Sequence, residues 1–382
     1  MSVVFGGSEA SAAHSHSAKV SDSALDLFTV PPTNVAYNSY CIVEINPTIE
    51  STTPVQFVLP GSREFIDFTR SYFHIELSLK DSADNANVAK GDNVWMANNA
   101  FHTIFKQPSI YVNGTLTTEQ TDTYAYKAYI ETILNYGTED EETFLQAQGY
   151  YSAVDHPPST LSDNEWTGTH ADYKAMPKEC RMLIPGVDLK TRFTLNDPKF
   201  FLMRLTSSSA KPVLKSFNMK FFACMVKVRS DIYNEIARKR LKENKNVFIP
   251  TVRSEVRTFT VQKNDTEFQA TDVFTRRVPH RVVVGLVYQS AFGGHYEFNP
   301  FSFQKNHITS IKQVIEGEEY LYTTLELNSN DADKDMEGYN RLLMGNCCKF
   351  KGRSNQNIGN ITEIPRSSCG TTWLLDAPTV FN

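Results

Sequence analysis

Six cysteines, two N-terminal histidines and two acidic clusters are the residues of this chain that could carry out chemistry. Zinc binding requires spaced ligands, but Cys347 and Cys348 are adjacent and Cys369 lies far along the chain. The cysteines also lack the paired spacing of a disulfide framework. We therefore expect six free thiols in a reducing compartment, at Cys41, Cys180, Cys224, Cys347, Cys348 and Cys369.

The histidines, acidic residues and paired glycines that could bind ligands have simpler explanations. His14 and His16 are expected to be solvated, with adventitious metal binding as the alternative. The acidic run Glu139–Glu142 lies between a predicted helix and a second short helix. Carboxylates stabilise the N-terminus of a helix, so we expect the run to begin the second helix; cation binding is the alternative. Gly293–Gly294, before His295, predicts a turn rather than a phosphate cradle, because neither a helix nor a lysine follows.

Common catalytic motifs are absent from the sequence. It contains no nucleophile elbow, no phosphate-binding P-loop, no zinc-protease helix motif and no CxxC pair. We therefore predict no catalytic, cofactor-binding or metal-binding residues, no cofactor, and a protein that is not an enzyme.

The composition is that of a folded protein rich in aromatic residues. The 382 residues carry a net charge of −5, and 25 Phe, 17 Tyr and 3 Trp make up 12% of the chain. This charge balance excludes a polycation, and the sequence lacks the apolar run of about 18 residues that a membrane-spanning helix needs. Aromatic residues at this density favour β-structure and protein interfaces.

Alternation of apolar and polar residues predicts strands through much of the chain. From Phe73 to Leu79 the odd-numbered residues are apolar, which indicates a half-buried strand. Asn113–Gly114 predicts the type I′ turn of a hairpin over 109–118, since Asn-Gly tolerates the positive φ that this turn requires. The apolar run at 281–288 predicts a strand buried on both faces. Further strands are expected at 213–228, 258–262 and 321–327.

The clearest helical pattern runs from Asp122 to Tyr136. Apolar residues recur there at helical spacing, Thr121 or Asp122 can cap the start, and Gly137 can end the helix in a left-handed conformation.

A second helix is predicted at Asp231–Glu243, inside a basic stretch. Residues 229–245 hold six basic and three acidic side chains. One interpretation is a solvated helix face, and the other is a basic surface that faces an anionic interior such as a packaged genome.

A faint internal repeat suggests that the chain contains two similar bodies. A strand, a glycine turn and a short amphipathic helix occur twice in the same order, with Phe101, Gly114 and Gly137 matching Phe301, Gly317 and Gly345. The predicted fold class is all-β, with two tandem eight-stranded jelly rolls and short helices in the connecting loops. The expected domains are a flexible N-terminal arm at 1–35, a first jelly roll at 36–228, a linker helix at 229–246 and a second jelly roll at 247–382.

Two long stretches resemble a known family. They are Ile110–Gly114 followed by Thr123–Gly137, and Pro279–Val287 followed by Ala291–Phe303. Together they resemble the double-jelly-roll major capsid (hexon-like) proteins of the Polinton or Maverick transposon and adintovirus group. The match spans both halves of the chain. It departs from the family after Glu318, where Asn328–Asp335 is very polar.

The resemblance implies a structural role in a virus particle. Such proteins carry two jelly rolls per chain, and three chains form a pseudo-hexagonal capsomer of an icosahedral shell. The implied partners are two further copies in a homotrimer, neighbouring capsomers and a penton (minor capsid) protein, with indirect contact to packaged DNA. The implied location is the virion capsid, assembled inside the host cell, and the arm at 1–35 would hold neighbouring proteins from below.

Two alternatives stay open at this point. A carbohydrate-binding or carbohydrate-active double β-sandwich would need a groove with paired carboxylates or exposed aromatic residues, and the candidate acids are Glu139–Glu142 and Asp331–Asp335. A single-jelly-roll vertex protein is the other alternative, and the repeat argues against it.

Overall fold

A computed structural model gives the fold, which is mostly β-sheet with a few short helices. It describes residues 37–48, 54–82, 87–88, 94–136, 140, 144–150, 169–171, 187–204, 210–244, 254–274, 279, 281–303, 308–315, 318–326 and 372–376. They belong to two compact units, one within Tyr40–Val226 and Asn246–Asn382, and the other within Met1–Ser39 and Lys227–Lys245.

The described elements are named in chain order. The strands are β1 (Tyr37–Ile45), β2 (Val55–Leu59), β3 (Phe65–Asp81), β4 (Val94–Met96), β5 (Phe105–Val112), β6 (Thr115–Leu116), β7 (Thr169–Ala171), β8 (Leu189–Leu195), β9 (Leu202–Arg204), β10 (Pro212–Val228), β11 (Arg281–Gly285), β12 (Ser310–Ile315), β13 (Glu318–Glu326) and β14 (Thr372–Asp376). The helices are α1 (Ala100–Thr103), α2 (Tyr124–Asn135), α3 (Phe144–Ala147), α4 (Pro198–Phe201), α5 (Ser230–Leu241) and α6 (Gln289–Phe292).

Eight of these strands form two four-stranded sheets. The first sheet has the order β1-β10-β3-β7, and the second has the order β2-β8-β5-β6. The pairs are nested: β1 lies beside β10, β2 beside β8, β3 beside β7 and β5 beside β6. The described strands from β1 to β10 therefore follow the path of a long folded hairpin, and its tip is the β5–β6 turn.

The tip of this folded hairpin is the turn predicted from Asn113 and Gly114. Both residues have positive φ, 48° and 78°, and β5 pairs antiparallel with β6 across them. Asn113 also ties the turn to the second sheet, because its Oδ1 accepts a hydrogen bond of 3.1 Å from the N–H of Asp188. The hairpin prediction is confirmed.

An aromatic core joins the two sheets. Phe57 of β2 lies with its ring centroid 5.6 Å from that of Phe73 on β3 and 6.3 Å from that of Phe221 on β10. Phe193 of β8 contacts Phe73 edge-on at 5.1 Å. All four side chains are buried. The alternation predicted for Phe73–Leu79 and the strand predicted at 213–228 are confirmed, because the inward residues of β3 and β10 pack here.

Helix α2 confirms the first helical prediction but not its cap. Its N-cap residue is Thr123, which makes no side-chain capping hydrogen bond, whereas Asp122 has a positive φ of 57°. The residue predicted to end the helix, Gly137, lies outside the described residues.

Two further strand predictions are corrected by the structure. The apolar run at 281–288 forms β11 only to Gly285, and its described side chains are half-buried or exposed rather than buried on both faces. Residues 258–262 form no strand, and Phe259 is 50% exposed. Period-two alternation shows which side chains could share a face, but it does not supply the neighbouring strand.

The second half of the described chain contains two antiparallel pairs. β11 pairs with β14, and β12 pairs with β13. Phe101 and Phe301, matched in the sequence repeat, are both buried in the same hydrophobic cluster. The other matched residues of this half, Gly317 and Gly345, lie outside the described residues.

Candidate interaction surface

The outer face of the first sheet carries aromatic and apolar side chains that solvent can reach. The rings of Tyr72 and Phe222 stack with centroids 4.9 Å apart. Tyr40 is 66% exposed, with the guanidinium carbon of Arg70 lying 5.0 Å from its ring centroid. Ile42 is exposed on the same face. We call these five residues the outer-face patch; aromatic rings beside an arginine are typical of the centre of a protein contact.

Polar side chains continue the same face beyond the patch. Lys220 donates a hydrogen bond of 2.7 Å to Glu44, and that bond together with the charge of Glu44 raises the pKa of Lys220. Three cross-strand pairs lie along β3 and β10, namely His74 with Lys220, Glu76 with Asn218, and Ser78 with Ser216. The face therefore has an aromatic region bordered by a polar rim.

Strand β1 forms the border of this face and has a free edge among the described strands. It lies at one end of the strand order of the first sheet, and every residue from Tyr37 to Glu44 is exposed. Apolar side chains are accessible on both of its faces, since Val43 alternates with Ile42. An exposed edge with apolar side chains can accept a further strand from another chain.

The two stretches that carry the family resemblance meet in an aromatic contact. Tyr129 of α2 stacks on Phe301 with ring centroids 4.2 Å apart. Tyr126 stacks on Phe292 at 5.4 Å, and Phe303 lies 6.2 Å from Tyr129. Burial raises the pKa of the Tyr126 hydroxyl. This aromatic seam joins residues from both halves of the chain in one hydrophobic cluster.

A histidine beside this seam is half-buried and has a structural role. The Nδ1 atom of His102 lies 2.9 Å from the hydroxyl of Tyr124, and its Nε2 atom lies 3.3 Å from Oε1 of Gln148. Burial lowers the pKa of His102 to about 4. Because Oε1 can only accept, the neutral ring donates from Nε2 and accepts at Nδ1 from the tyrosine. No sequence motif marks this cluster.

The basic helix α5 pairs much of its own charge. Glu235 lies 2.8 Å from Arg238 and 3.6 Å from Lys239, and its hydrogen bond to Arg238 lowers the pKa of its carboxyl. Arg238 also lies 3.0 Å from Glu243. No residue of α5 is buried. These pairs favour the solvated helix face over a surface for nucleic acid.

Few of the candidate chemical residues lie in the described part. Cys41 is exposed and Cys224 is buried, both as free thiols, and burial raises the pKa of Cys224. The turn predicted at Gly293–Gly294 is confirmed, with φ of 85° at Gly294. His295 accepts a hydrogen bond of 3.2 Å at Nδ1 from the N–H of Glu297. Outside the described residues lie His14, His16, Glu139, Glu141, Glu142, Cys180, Asp331–Asp335, Cys347, Cys348 and Cys369.

The described residues contain neither a group of side chains suited to a metal ion nor a helix suited to a membrane. Within the described ranges, no three or more His, Cys, Asp and Glu side chains are grouped so that they could hold a metal ion. No helix in the described part has both the length and the apolar character needed to cross a membrane.

Comparison with curated sequences gives one distant relative. An uncharacterized protein of Caenorhabditis elegans is 25% identical over 296 residues, which cover 73% of this chain and 70% of that protein. No protein-family model matches the chain.

Comparison with solved structures gives viral proteins at low similarity. A chain of the Sputnik virophage matches with a TM-score of 0.39 and 12% identity, over 56% of this chain and 53% of that one. The mavirus major capsid protein matches with a TM-score of 0.33 and 9% identity, over 61% and 53%. The Faustovirus major capsid protein matches with a TM-score of 0.33 and 11% identity, over 56% and 58%. This chain spans about half the length of the solved chains that it matches.

Proposed function

We propose that this chain is a major capsid protein, three copies of which form a pseudo-hexagonal capsomer of an icosahedral shell. The nested strand pairing carries the proposal. A folded hairpin of eight strands, with sheet orders β1-β10-β3-β7 and β2-β8-β5-β6, is the connectivity expected of a jelly roll, an architecture used by viral capsid domains. The proposed first jelly roll spans residues 36–228.

The second half supports a second jelly roll at 247–382. Its first and last described strands, β11 and β14, pair with each other, and β12 and β13 pair between them. This repeats the outermost and innermost pairs of the first half. The proposal keeps residues 229–246 as the linker helix and 1–35 as the flexible N-terminal arm.

The proposed mechanism is assembly rather than catalysis. A contact between unlike surfaces of neighbouring copies closes into a ring when three rotations return to the start. The outer-face patch has the composition of such a contact, with aromatic rings at its centre and polar side chains around it. The proposed partners are the two other copies of the homotrimer, neighbouring capsomers, a penton protein and, indirectly, packaged DNA. The proposed location is the virion capsid, assembled inside the host cell.

The jelly-roll fold alone does not separate a capsid protein from a carbohydrate-binding protein, because lectins also use jelly rolls. The carbohydrate alternative needs a groove with paired carboxylates or exposed aromatic residues. Of its candidate acids only Asp140 is among the described residues, and the exposed rings of the outer-face patch lie on the face of a sheet.

Solution mass and imaging test the proposal. Light scattering should give a particle of about 130 kDa, three times the chain mass of 43.2 kDa, and negative-stain images should show near-hexagonal particles. The double variant Tyr40→Ser, Ile42→Ser should weaken the trimer, whereas Leu116→Ser, which changes an apolar residue exposed on β6, should leave its mass unchanged. A monomer that binds glycans would contradict the capsid proposal.

A further inference from the structure

Residues 254–274 form a segment with a strand-like sequence and no strand partner in the described part of the chain. We call it the exposed segment. Phe259 and Val261 alternate with polar residues, yet they are 50% and 44% exposed, and Phe268 is 47% exposed. Every residue from 257 to 269 is exposed. Such side chains leave about half of their apolar surface in water, where covering it would be favourable.

The exposed segment has a defined local structure. Ser254 donates a hydrogen bond of 2.8 Å to Glu131 of α2, which fixes the start of the segment. Its turn is closed by a bond of 3.1 Å from the N–H of Gln262 to Asp265, and Asn264 has a positive φ of 74°. Among the described residues, positions 255–261 make no backbone hydrogen bond. Their N–H and C=O groups are available to a neighbouring strand.

Within the described part of the chain, strand β1 offers an unpaired edge to which such a segment could bind. Its outer edge is free among the described strands, and it exposes Tyr40, Ile42 and Val43. We propose that residues 258–262 of one chain pair with the β1 edge of a second copy and extend its first sheet by one strand. This inference deepens the proposed function, on which it rests, by naming the contact that joins the copies.

Continuity with the outer-face patch supports a second copy as the occupant. Phe259 and Val261 on one strand would meet Tyr40 and Ile42 on the other, and all four side chains are about half exposed. An aromatic side chain buries about 150–250 Å² in all, about half of which is already buried here, so the strand pairing covers several hundred Å² and adds to the surface of the patch, to which Tyr40 and Ile42 also belong. Three such contacts act together in a closed ring.

The paired stretch is apolar and uncharged, since residues 258–262 are Thr, Phe, Thr, Val and Gln. At the border of β1, Arg70 lies against Tyr40 and is paired with Asp67 at 3.7 Å. The proposed pairing therefore rests on backbone hydrogen bonds and apolar contact rather than on charge.

The alternation of the two strands also fixes which side chains would meet. If Phe259 and Val261 lie beside Tyr40 and Ile42 on the outer face, then Thr260 lies on the opposite face with Cys41. Cys41 is exposed and its thiol is free. A cysteine at position 260 would therefore come close to Cys41 of the neighbouring copy.

Cross-linking of full-length protein with a short bis-maleimide tests this arrangement. Thr260→Cys should give covalent dimers and trimers on a denaturing gel, well above the background from the native cysteines of the unmodified chain. Adding Cys41→Ser to this variant should remove the increase. A trimer by light scattering without this cross-link, or with a link only inside one chain, would overturn the inference and leave the proposed function standing. A monomer by light scattering would contradict both.

Affinity gives a second, independent measurement. The variant Phe259→Ser, Val261→Ser changes only exposed side chains, so folding should persist, and we expect at least a tenfold weaker association. The matched control Thr258→Ala, Thr260→Ala alters the same segment without its apolar residues and should change association less than twofold. Equal effects of the two variants would contradict the proposed strand pairing.

Discussion

The two faces of the first sheet present nearly the same aromatic contact in different surroundings. On the inner face Phe73 and Phe221 stack with ring centroids 4.6 Å apart, and both are buried. One residue earlier on β3 and one later on β10, Tyr72 and Phe222 stack on the outer face at 4.9 Å, and both are half-buried. The stacking distance is the same within a few tenths of an ångström. The difference is the second sheet, which covers only the inner face.

This comparison separates stability from assembly within the same pair of strands. Burying the apolar surface of the inner residues lowers the free energy when the chain folds. Burying that of the outer residues lowers the free energy when another chain covers them. Substitutions on the inner face should therefore act on unfolding, and substitutions on the outer face should act mainly on association.

The largest expected effect is that of Phe57→Ala. Phe57 is 2% exposed and contacts three other phenylalanines, so truncation leaves a cavity in the sandwich. We expect the free energy of unfolding to fall by about 3–5 kcal/mol, measured by urea denaturation. Val58→Ala, at the next position on β2 but 41% exposed, should change it by less than about 0.5 kcal/mol. Similar losses for both variants would contradict the inner and outer assignment of β2.

The aromatic seam brings residues of the second half of the chain into the buried hydrophobic cluster. Phe301 is 1% exposed and stacks on Tyr129, so Phe301→Ala should lower the free energy of unfolding by about 3 kcal/mol. Phe298→Ala, on the same loop but 47% exposed, is the matched control and should have little effect. If the unmodified chain already unfolds in two transitions and Phe301→Ala shifts only one of them, the seam does not join the halves into one cooperative unit.

His102 makes the stability of this region depend on pH. Its folded-state pKa of about 4 lies below the usual 6.5, so the unfolded chain binds the proton first as the pH falls. The free energy of unfolding is therefore highest above pH 6.5 and decreases as the pH falls towards 4, by at most about 3 kcal/mol. His102→Gln should flatten this part of the stability profile measured by urea denaturation. His295→Gln, which changes an exposed histidine, is the control, and an unchanged slope in His102→Gln would contradict the prediction.

Local sequence signals predicted those parts of the fold that neighbouring residues determine. The turn at Asn113–Gly114 and the alternation of Phe73–Leu79 are confirmed because turn chemistry and period-two burial act over a few residues. No prediction covered β8, although Leu189, Thr191, Phe193 and Leu195 are buried at alternate positions. That signal was present in the sequence.

The remaining features depend on residues that are distant in the sequence. Residues 258–262 alternate as a strand would, but no strand of the described chain lies beside them. The partners of His102 come from positions 22 and 46 residues further along the chain. The outer-face patch likewise requires β1, β3 and β10 to be neighbours, which only the nested pairing provides. Spacing within one element carries no information on such contacts.

The smallest effect on unfolding is expected on the outer face. Tyr72→Ala removes a stacked pair with Phe222 that is half-buried, so the free energy of unfolding should fall by about 1 kcal/mol in dilute protein. Phe73→Ala, one residue later on the inner face, should cost about three times as much. Association should respond in the opposite sense, because only Tyr72→Ala removes a side chain that a second copy could cover. Equal losses of unfolding free energy in the two variants, or an unchanged oligomer mass in Tyr72→Ala, would show that the two faces do not divide stability from assembly.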